Sequence, residues 1–276
     1  MFVNRMVFVE FGKLSLGAGH SLIIQKDTSV WATGSNTFGQ LGDGSNRESV
    51  KKFTRVIPNG AQTVATGRGH SMLLKQDGSV WAVGRNNFGQ LGDGTNTDRR
   101  RFVRVVPSGA KAVSIGEKHS LVVKRDGSVW TTGYNGYGQL GQQVVVTHTN
   151  IFSLALQSGG ETVAAGLGHS MLLKQDGSVW ASGMNDRGQI GDGFTFPKRG
   201  FIPVIASDAI AIAAGGHHSM VLKQDGTLWA TGENTFGQLG DGSTTSNAIM
   251  KSIPGINGAV AVAAGMSHSL VLLKDG

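Results

Sequence analysis

Residues 51–99 read KKFTRVIPNGAQTVATGRGHSMLLKQDGSVWAVGRNNFGQLGDGTNTDR, and this stretch decides the fold. It holds four short apolar runs, each about the length of a β-strand and each separated from the next by turn residues. The runs are Phe53 to Ile57, Gln62 to Ala65, Ser71 to Lys75 and Val80 to Val83. The stretch therefore predicts one sheet of four short antiparallel strands.

The same pattern recurs along the whole chain of 276 residues. A His-Ser pair returns every 49 or 50 residues, and all five tryptophans keep the same spacing. The histidines are His20, His70, His119, His169, His218 and His268, and the tryptophans are Trp31, Trp81, Trp130, Trp180 and Trp229. A fixed period of this length indicates a repeat architecture. The chain holds about five complete repeats and a partial sixth, which starts near Ile249.

The third and fourth runs of most repeats are joined by an Asp-Gly pair, as at Asp77-Gly78. Such a pair favours a two-residue hairpin loop of type I′, in which both residues have positive φ. The first repeat has Asp27-Thr28 instead. Here a β-branched residue must adopt positive φ or the turn must change, so we expect this hairpin to be the loosest.

The run around Trp81 has apolar or small residues on both faces, so both faces of the sheet must be covered. Sheets stacked face to face around an axis satisfy this requirement. The sequence therefore predicts an all-β protein, a β-propeller of four-stranded antiparallel blades. A β-solenoid is the alternative, but its coils are commonly shorter and lack repeated antiparallel hairpins.

The segment Gly34-x-Asn36-x-x-Gly39-Gln40-Leu41-Gly42 recurs after the tryptophan of every complete repeat, with Ile190 in place of the leucine in the fourth. This repeat resembles that of the regulator of chromosome condensation family over essentially the whole chain. The resemblance implies a propeller, usually with more blades than we count here. Members include exchange factors for a Ran-type small GTPase, chromatin binders, ubiquitin-ligase appendages and a UV-B photoreceptor. The turns that carry the chromophore tryptophans of the photoreceptor hold none here, which disfavours photoreception.

Composition narrows the class further. The chain has 43 glycines, 5 prolines and no cysteine, and only 16% of its residues are charged. The absence of cysteine excludes a disulfide framework, a thiolate nucleophile and ubiquitin transfer by this chain. No apolar run approaches the length of a membrane span, and no signal peptide is recognisable, so we expect a cytoplasmic or nuclear protein that binds no membrane.

None of the repeated motifs predicts catalysis, a metal or a cofactor. Adjacent His and Ser side chains on a strand point to opposite faces, and six equivalent copies of one active site are implausible. We expect each histidine to bond a turn carbonyl, each tryptophan to support its blade, and the lysines at the hairpin tips, such as Lys75, to guard against edge pairing. The glycine-rich segments lack the phosphate-loop lysine and precede no helix.

The repeats differ mainly in the stretch that follows Gly-Asp-Gly, and this stretch is rich in basic residues. Loops at equivalent positions of a propeller share one face, so charges far apart in sequence can form one patch. The candidate partner-binding residues are Lys51, Lys52, Arg55, Arg99, Arg100, Arg101, Arg104, Lys198 and Arg199. With a net charge of +7, such a patch favours an acidic protein surface or nucleic acid. A solubilising rim without a partner is the alternative.

The leading functional hypothesis is a non-enzymatic scaffold that binds a protein partner through loops on one face. The alternative is a guanine-nucleotide exchange factor or chromatin-associated regulator of a Ran-type GTPase, which family resemblance alone supports. We expect residues 1–276 to form a single domain. We further expect a sixth blade with strands near Ile249 to Ile253, Ala259 to Ala263 and Ser269 to Leu273, and without the tryptophan strand. Such a blade predicts an open ring, pairing with another chain or marginal solubility.

Overall fold

The computed structural model describes residues 13–144 and 146–275. Within these ranges the chain forms β-strands and no helix, and every sheet is antiparallel. Consecutive strands pair in chain order into five sheets of four strands and one of two. Because the described residues contain no helix, none of them provides a helical membrane span.

Each sheet is one blade, numbered here in chain order. Blade 1 contains β1 (Leu14–Leu16), β2 (His20–Ile24), β3 (Val30–Ser35) and β4 (Ser49–Ile57). Blade 2 contains β5 (Ala61–Thr66), β6 (His70–Lys75), β7 (Val80–Gly84) and β8 (Arg99–Val106). Blade 3 contains β9 (Ala110–Ile115), β10 (His119–Lys124), β11 (Val129–Tyr134) and β12 (His148–Leu156). Blade 4 contains β13 (Gly160–Ala165), β14 (His169–Lys174), β15 (Val179–Gly183) and β16 (Lys198–Ile205). Blade 5 contains β17 (Ala209–Ala214), β18 (His218–Lys223), β19 (Leu228–Gly232) and β20 (Asn247–Ser252). Blade 6 contains β21 (Ala259–Ala264) and β22 (Ser269–Leu273).

The blades form a β-propeller, as predicted. Their first strands surround a cavity of about 630 Å³, to which all six blades contribute. The hydrophobic core lies between neighbouring blades, where Leu22 of blade 1 and Val64 and Leu73 of blade 2 belong to one buried cluster. A blade that lies between two others has both faces of its sheet buried in this way, which explains the absence of a polar face in its tryptophan strand.

The predicted boundaries of the blades were wrong by one strand. The run Phe53 to Ile57 lies in β4, and β4 pairs with β3 of the preceding repeat, not with the later strands of its own. A periodic sequence shows the same spacing whichever residue is taken as its start. The spacing alone therefore did not reveal where one blade ends and the next begins. The turn Pro58-Asn59-Gly60 marks it, because there the chain leaves one blade and enters the next.

The sixth blade differs from the prediction for the same reason. The strand near Ile249 is β20, which completes blade 5 by pairing with β19. Blade 6 therefore has two described strands, β21 and β22, which lie where the second and third predicted strands were expected.

The hairpin between the second and third strands of blades 1 to 5 is not a type I′ turn. The Gly78 amide donates to the Lys75 carbonyl over 2.9 Å, and Gly78 has a φ of 77° while Asp77 has no positive φ. The connection is thus a three-residue loop, a type I turn followed by a left-handed residue. Thr28 takes this position in blade 1 with a φ of 62°, so the β-branched residue does adopt positive φ.

Candidate functional site

The loop between the third and fourth strands of each complete blade is held rigid by its own side chains. In blade 1 the buried Asn36 accepts a hydrogen bond from the Leu41 amide over 3.1 Å, and the side chain of Gln40 accepts one from the Phe38 amide over 3.0 Å. The same pair of bonds recurs in blades 2 to 5. The repeated Asn-x-x-Gly-Gln-Leu-Gly motif therefore builds a fixed loop on one face of the propeller, called the loop face below.

The fourth strand of each blade lies farthest from the central cavity and is called its outer strand. The outer strand of blade 2 lies directly against the loop of blade 1. The Gly44 amide donates to the Arg100 carbonyl over 2.8 Å. A Cβ added to Gly39 would lie only 2.8 Å from the Arg100 Cα, so glycine is required at this approach. The start of β8 from blade 2 thereby covers the loop of blade 1.

Four of the predicted basic residues are exposed at the start of two neighbouring fourth strands, and two of them lie against the loop of blade 1. Lys51 and Lys52 are exposed at the start of β4, and Arg100 and Arg101 are exposed at the start of β8. The Arg100 guanidinium donates to the Ser45 carbonyl over 3.2 Å. Within the described residues, none of the four makes an ion pair. We call Lys51, Lys52, Arg100 and Arg101 the basic corner.

Two further predicted residues have a structural role on the same face. Arg99 pairs with Asp93 over 2.6 Å, and Lys198 pairs with Asp192 over 2.7 Å. In both pairs the carboxylate is almost buried, so its negative charge needs the cation. These two cations fix the loops of blades 2 and 4 and are not free to bind a partner.

The remaining predicted residues lie away from the basic corner. Arg55 pairs with Asp27 over 3.6 Å and donates to the Pro58 carbonyl, so it points to the opposite face of the propeller. Arg104 donates to the Pro107 carbonyl at the equivalent place in blade 2. Arg199 is exposed in blade 4 beside Gly138. The structure thus does not bring the nine residues into one patch.

Blade 3 interrupts the basic residues of the loop face. Asn150 and Ile151 occupy in β12 the places that Arg100 and Arg101 occupy in β8. The Asn150 side chain bonds the loop of blade 2, and Ile151 is exposed. The sequence had indicated this gap, because the stretch from Gln142 carries no lysine or arginine as far as Asn150.

Five of the six repeated histidines belong to the contacts between blades. The His70 Nε2 lies 3.0 Å from the Ser120 hydroxyl of the next blade, and that hydroxyl donates to the Gln90 carbonyl over 2.7 Å. The carbonyl can only accept, so the hydroxyl proton is used and the Nε2 must donate. The predicted acceptor was therefore wrong: the histidine bonds a serine, and the serine bonds the carbonyl.

We call this His–Ser–Gln chain the seam. It is repeated at five junctions, which join His20 to Ser71, His70 to Ser120, His119 to Ser170, His169 to Ser219 and His218 to Ser269. The spacing of the His-Ser pairs was visible in the sequence. Which histidine meets which serine was not, because the two residues of one pair bond opposite neighbours.

Burial sets the charge of the seam. Desolvation lowers the pKa of His119 to about 4, and desolvation together with the neighbouring histidines lowers the pKa of His70 to about 3. These rings are neutral at pH 7, and their Nδ1 atoms have no hydrogen-bond partner. Because each serine donates its proton to a carbonyl, the seam offers no activated nucleophile. No group of three metal-ligating side chains occurs in the described part of the chain.

Trp81, Trp180 and Trp229 also pack against clusters that two neighbouring blades share. The indole of Trp81 packs against the cluster that blades 1 and 2 share and donates to the Ser79 hydroxyl over 3.0 Å, which in turn donates to Asp77 over 2.6 Å. Lys75 places its ammonium 4.7 Å from the centre of the Trp81 ring. Lys75 ends the second strand of its blade, which is paired on both sides. The interpretation of these lysines as guards of an exposed edge was therefore wrong.

Comparisons with known proteins agree with this architecture. A family model described as the RCC1-like domain matches residues 3–276. The crystal structure of human WBSCR16 superimposes with a TM-score of 0.83 at 24% identity, covering 95% of this chain and 71% of that one. Yeast RCC1 (Prp20) bound to Kap60 gives a TM-score of 0.82 at 21% identity, covering 95% and 68%. Prp20p from Saccharomyces cerevisiae gives 0.74 at 18% identity, covering 95% and 83%. No curated protein sequence matches the chain.

Proposed function

Since the chain belongs to the RCC1-like domain family, we propose that it is a non-enzymatic interaction module that binds an acidic protein surface at the basic corner. The fold supports this role because it holds many rigid loops on one face while its core residues are used for packing between blades. A binding site on such a scaffold is made by the residues in which the blades differ.

One observation carries the proposal. The basic corner presents four exposed cations at the start of β4 and β8, and none has a carboxylate partner among the described residues. The neighbouring cations Arg99 and Lys198 do have such partners. A cation that is not neutralised within its own chain attracts anionic groups of another molecule and accelerates their approach.

A charge reversal with a matched control tests the proposal. In the double variant Arg100→Glu/Arg101→Glu, we expect elution from a poly-glutamate column at clearly lower salt than for the wild type. The control is Lys26→Glu/Arg125→Glu, which makes the same change of net charge in two exposed hairpins of the opposite face. The control variant should elute close to the wild type.

The outcome also separates the two kinds of anionic partner. Equal elution of the two double variants would show that only net charge matters and would overturn the proposal. If Arg100→Glu/Arg101→Glu loses retention on duplex DNA but keeps it on poly-glutamate, the partner is nucleic acid. In that case the slope of binding against salt should fall by about one for each phosphate that the variant no longer neutralises.

A guanine-nucleotide exchange factor or chromatin-associated regulator is the second candidate. The observation that favours it is the structural similarity to Prp20p, a protein described as binding Gsp1p and histones. A GTPase pocket is disturbed by groups that compete for bound magnesium or phosphate. The nearly buried carboxylates of the loop face, Asp93 and Asp192, are already paired with Arg99 and Lys198.

A nucleotide-release assay decides between the candidates. We expect substoichiometric amounts of this protein to leave the release of fluorescent GDP from a Ran-type GTPase unchanged. Catalytic acceleration of release would establish the exchange-factor function instead.

A further inference from the structure

Three arginines of blade 2 lie along the edge of its sheet on the loop face. Arg68 lies between β5 and β6, Arg85 directly follows β7, and Arg100 lies at the start of β8. The strand register places all three at the same end of the sheet. Because β5 borders the central cavity and β8 is the outer strand, the three arginines form a line from the cavity to the rim. We call Arg68, Arg85 and Arg100 the stripe.

The equivalent positions of the other four-stranded blades carry a different set of residues. At least two of the three positions lack a positive charge in each of these blades, although the backbone register is the same. The repeat therefore does not require arginine at these positions, and the stripe is specific to blade 2. The positions hold Ala18, Ser35 and Lys51 in blade 1, Glu117, Tyr134 and Asn150 in blade 3, Leu167, Met184 and Arg199 in blade 4, and Gly216, Glu233 and Ala248 in blade 5.

The loop of blade 1 connects the two ends of the stripe. Arg100 lies against this loop, and the guanidinium carbon of Arg85 lies 4.8 Å from the ring centre of Phe38 in the same loop. The Phe38 ring also packs against the turn next to Arg68, because a Cβ added to Gly69 would lie 3.2 Å from it. Phe38 and Arg85 therefore bridge the inner and outer ends of the stripe.

The charges of the stripe are only partly neutralised. Within the described residues, Arg85 and Arg100 make no ion pair. Arg68 binds the carboxylate of Glu117 in blade 3 over 2.7 Å, and the same carboxylate lies 3.7 Å from the Lys118 ammonium. A carboxylate of the chain itself thus occupies the inner end of the stripe, while the middle and the outer end are open.

We propose that the stripe binds a short, extended acidic segment of a partner polypeptide, which runs from the basic corner toward the central cavity. This inference rests on the proposed function, because Arg100 belongs both to the stripe and to the basic corner. Neighbouring strands lie about 4.8 Å apart, so the stripe is about 12 Å long. An extended segment of about four residues spans this length.

The chemistry of the stripe favours a polypeptide over nucleic acid. A guanidinium binds a carboxylate through parallel hydrogen bonds, and the contact between Arg68 and Glu117 is an example within this chain. Single-stranded nucleic acid requires open aromatic faces on which bases stack, but Arg85 lies over the Phe38 ring. Duplex DNA presents two rows of phosphates, whereas the stripe is one row wide and has the Glu117 carboxylate beside it.

Binding of an oligoglutamate tests the proposal. The probe is a fluorescein-labelled peptide of about six glutamates, which spans the stripe when extended, and fluorescence anisotropy gives its dissociation constant. Because Arg85→Gln removes the middle cation, we expect it to raise the dissociation constant about threefold. The control is Arg199→Gln, which removes an exposed cation at the place in blade 4 that is equivalent to Arg100. The control should bind the peptide like the wild type.

A second variant should strengthen binding. Glu117→Gln removes the carboxylate that occupies Arg68, so this guanidinium becomes available to a carboxylate of the peptide. We expect the dissociation constant to fall about threefold. The control is Glu161→Gln, which makes the same change of net charge at an ion pair with Lys111 on the opposite face. This control should leave the dissociation constant unchanged.

Three results would overturn the proposal. One is an Arg85→Gln protein that binds the peptide as tightly as Arg199→Gln does. Another is an effect of Glu117→Gln no larger than that of Glu161→Gln, a comparison that does not depend on the stability of the Arg85 variant. The third is a loss of single-stranded DNA binding in Arg85→Gln that exceeds the loss of peptide binding, which would assign the stripe to nucleic acid. The proposed function is tested separately, because it requires only that Arg100→Glu/Arg101→Glu weakens binding.

Discussion

The seam and the start of the outer strands lie in the same blades, yet they differ in how much they vary. The seam has the same His–Ser contact at five junctions, with distances of 2.8 to 3.0 Å. The outer strands differ at one equivalent position of five successive blades. This position holds Lys51, Arg100, Asn150, Arg199 and Ala248. The contacts between blades therefore constrain the residues of the seam, whereas the residues at this position of the outer strands vary from blade to blade.

Burial explains the difference. The seam atoms lie between two sheets, so removing one partner leaves a buried polar group without a hydrogen bond, which costs about 1–3 kcal/mol. Arg100 contributes its backbone to the neighbouring loop, and its side chain extends into solvent. Any residue that can form the strand satisfies the same backbone contacts. Exposed positions of the outer strands, such as Arg100, can therefore change with little loss of stability.

The largest effect that we predict is acid unfolding caused by the seam. The folded-state pKa of the buried histidines is lowered by desolvation to about 3 or 4, against an ordinary value of 6.5. The unfolded chain therefore binds more protons, so the stability that is complete above pH 6.5 is lost as the pH falls toward 4. Chemical denaturation at several pH values should show that unfolding in this pH range is accompanied by the uptake of nearly five protons.

The aspartates of the hairpins affect stability in a separate, more acid pH range. They therefore serve as an internal reference for the effect of the histidines. The Ser79 hydroxyl and amide hold the pKa of Asp77 below its ordinary value of 3.8. Stability from this bond is present above that value and is lost only at more acid pH. An unfolding free energy that stays constant between pH 6.5 and 4.5 would contradict the neutral, buried seam.

The sequence was sufficient to predict the fold and the blade interior. The recurring His-Ser, Asp-Gly and Asn-x-x-Gly-Gln-Leu-Gly motifs predicted the four-strand unit and the propeller, because period and turn chemistry are local properties. The blade boundary, the turn at Gly78 and the partner of His70 were wrong. Each depends on which strands meet in space, and a periodic sequence is compatible with more than one pairing.

The candidate site was predicted only in part. The nine basic residues were found by their type and spacing, but sequence could not reveal that Arg99 pairs with Asp93 while Arg100 does not. Neighbouring residues of a strand point to opposite sides, so Arg99 meets Asp93 in the loop of its own blade while Arg100 lies against the loop of blade 1.

The next effect in size concerns the tryptophans. Replacing Trp130 by Ala removes an indole that donates to Ser128 and lies 4.2 Å from the Lys124 ammonium. We expect a loss of about 3 kcal/mol, at the lower end for such a change because the ring is only partly buried. Urea denaturation measures it. A Trp130→Ala protein with native stability and selectively reduced binding would contradict a structural role.

A smaller effect is expected at the hairpin of blade 1. Thr28 holds a positive φ of 62°, which disfavours a β-branched residue, although its hydroxyl accepts a bond from the Gly60 amide over 2.8 Å. Thr28→Asn keeps a side-chain acceptor and tolerates this conformation better. We expect a gain in stability of up to about 1 kcal/mol. Lower stability of the Asn variant would show that the threonine contact outweighs the backbone strain.

The smallest effect is predicted at the outer strands, where two adjacent arginines provide the comparison. Arg100→Ala should change the free energy of unfolding by no more than about 0.5 kcal/mol, because the side chain is exposed and the bond from the Gly44 amide to its carbonyl is kept. Arg99→Ala should cost about 1 kcal/mol or more, since it leaves the nearly buried Asp93 without its cation. Binding to poly-glutamate should show the reverse order, with Arg100→Ala the weaker binder. Equal losses of stability at the two positions would mean that the loop face is not divided into structural and partner-binding cations.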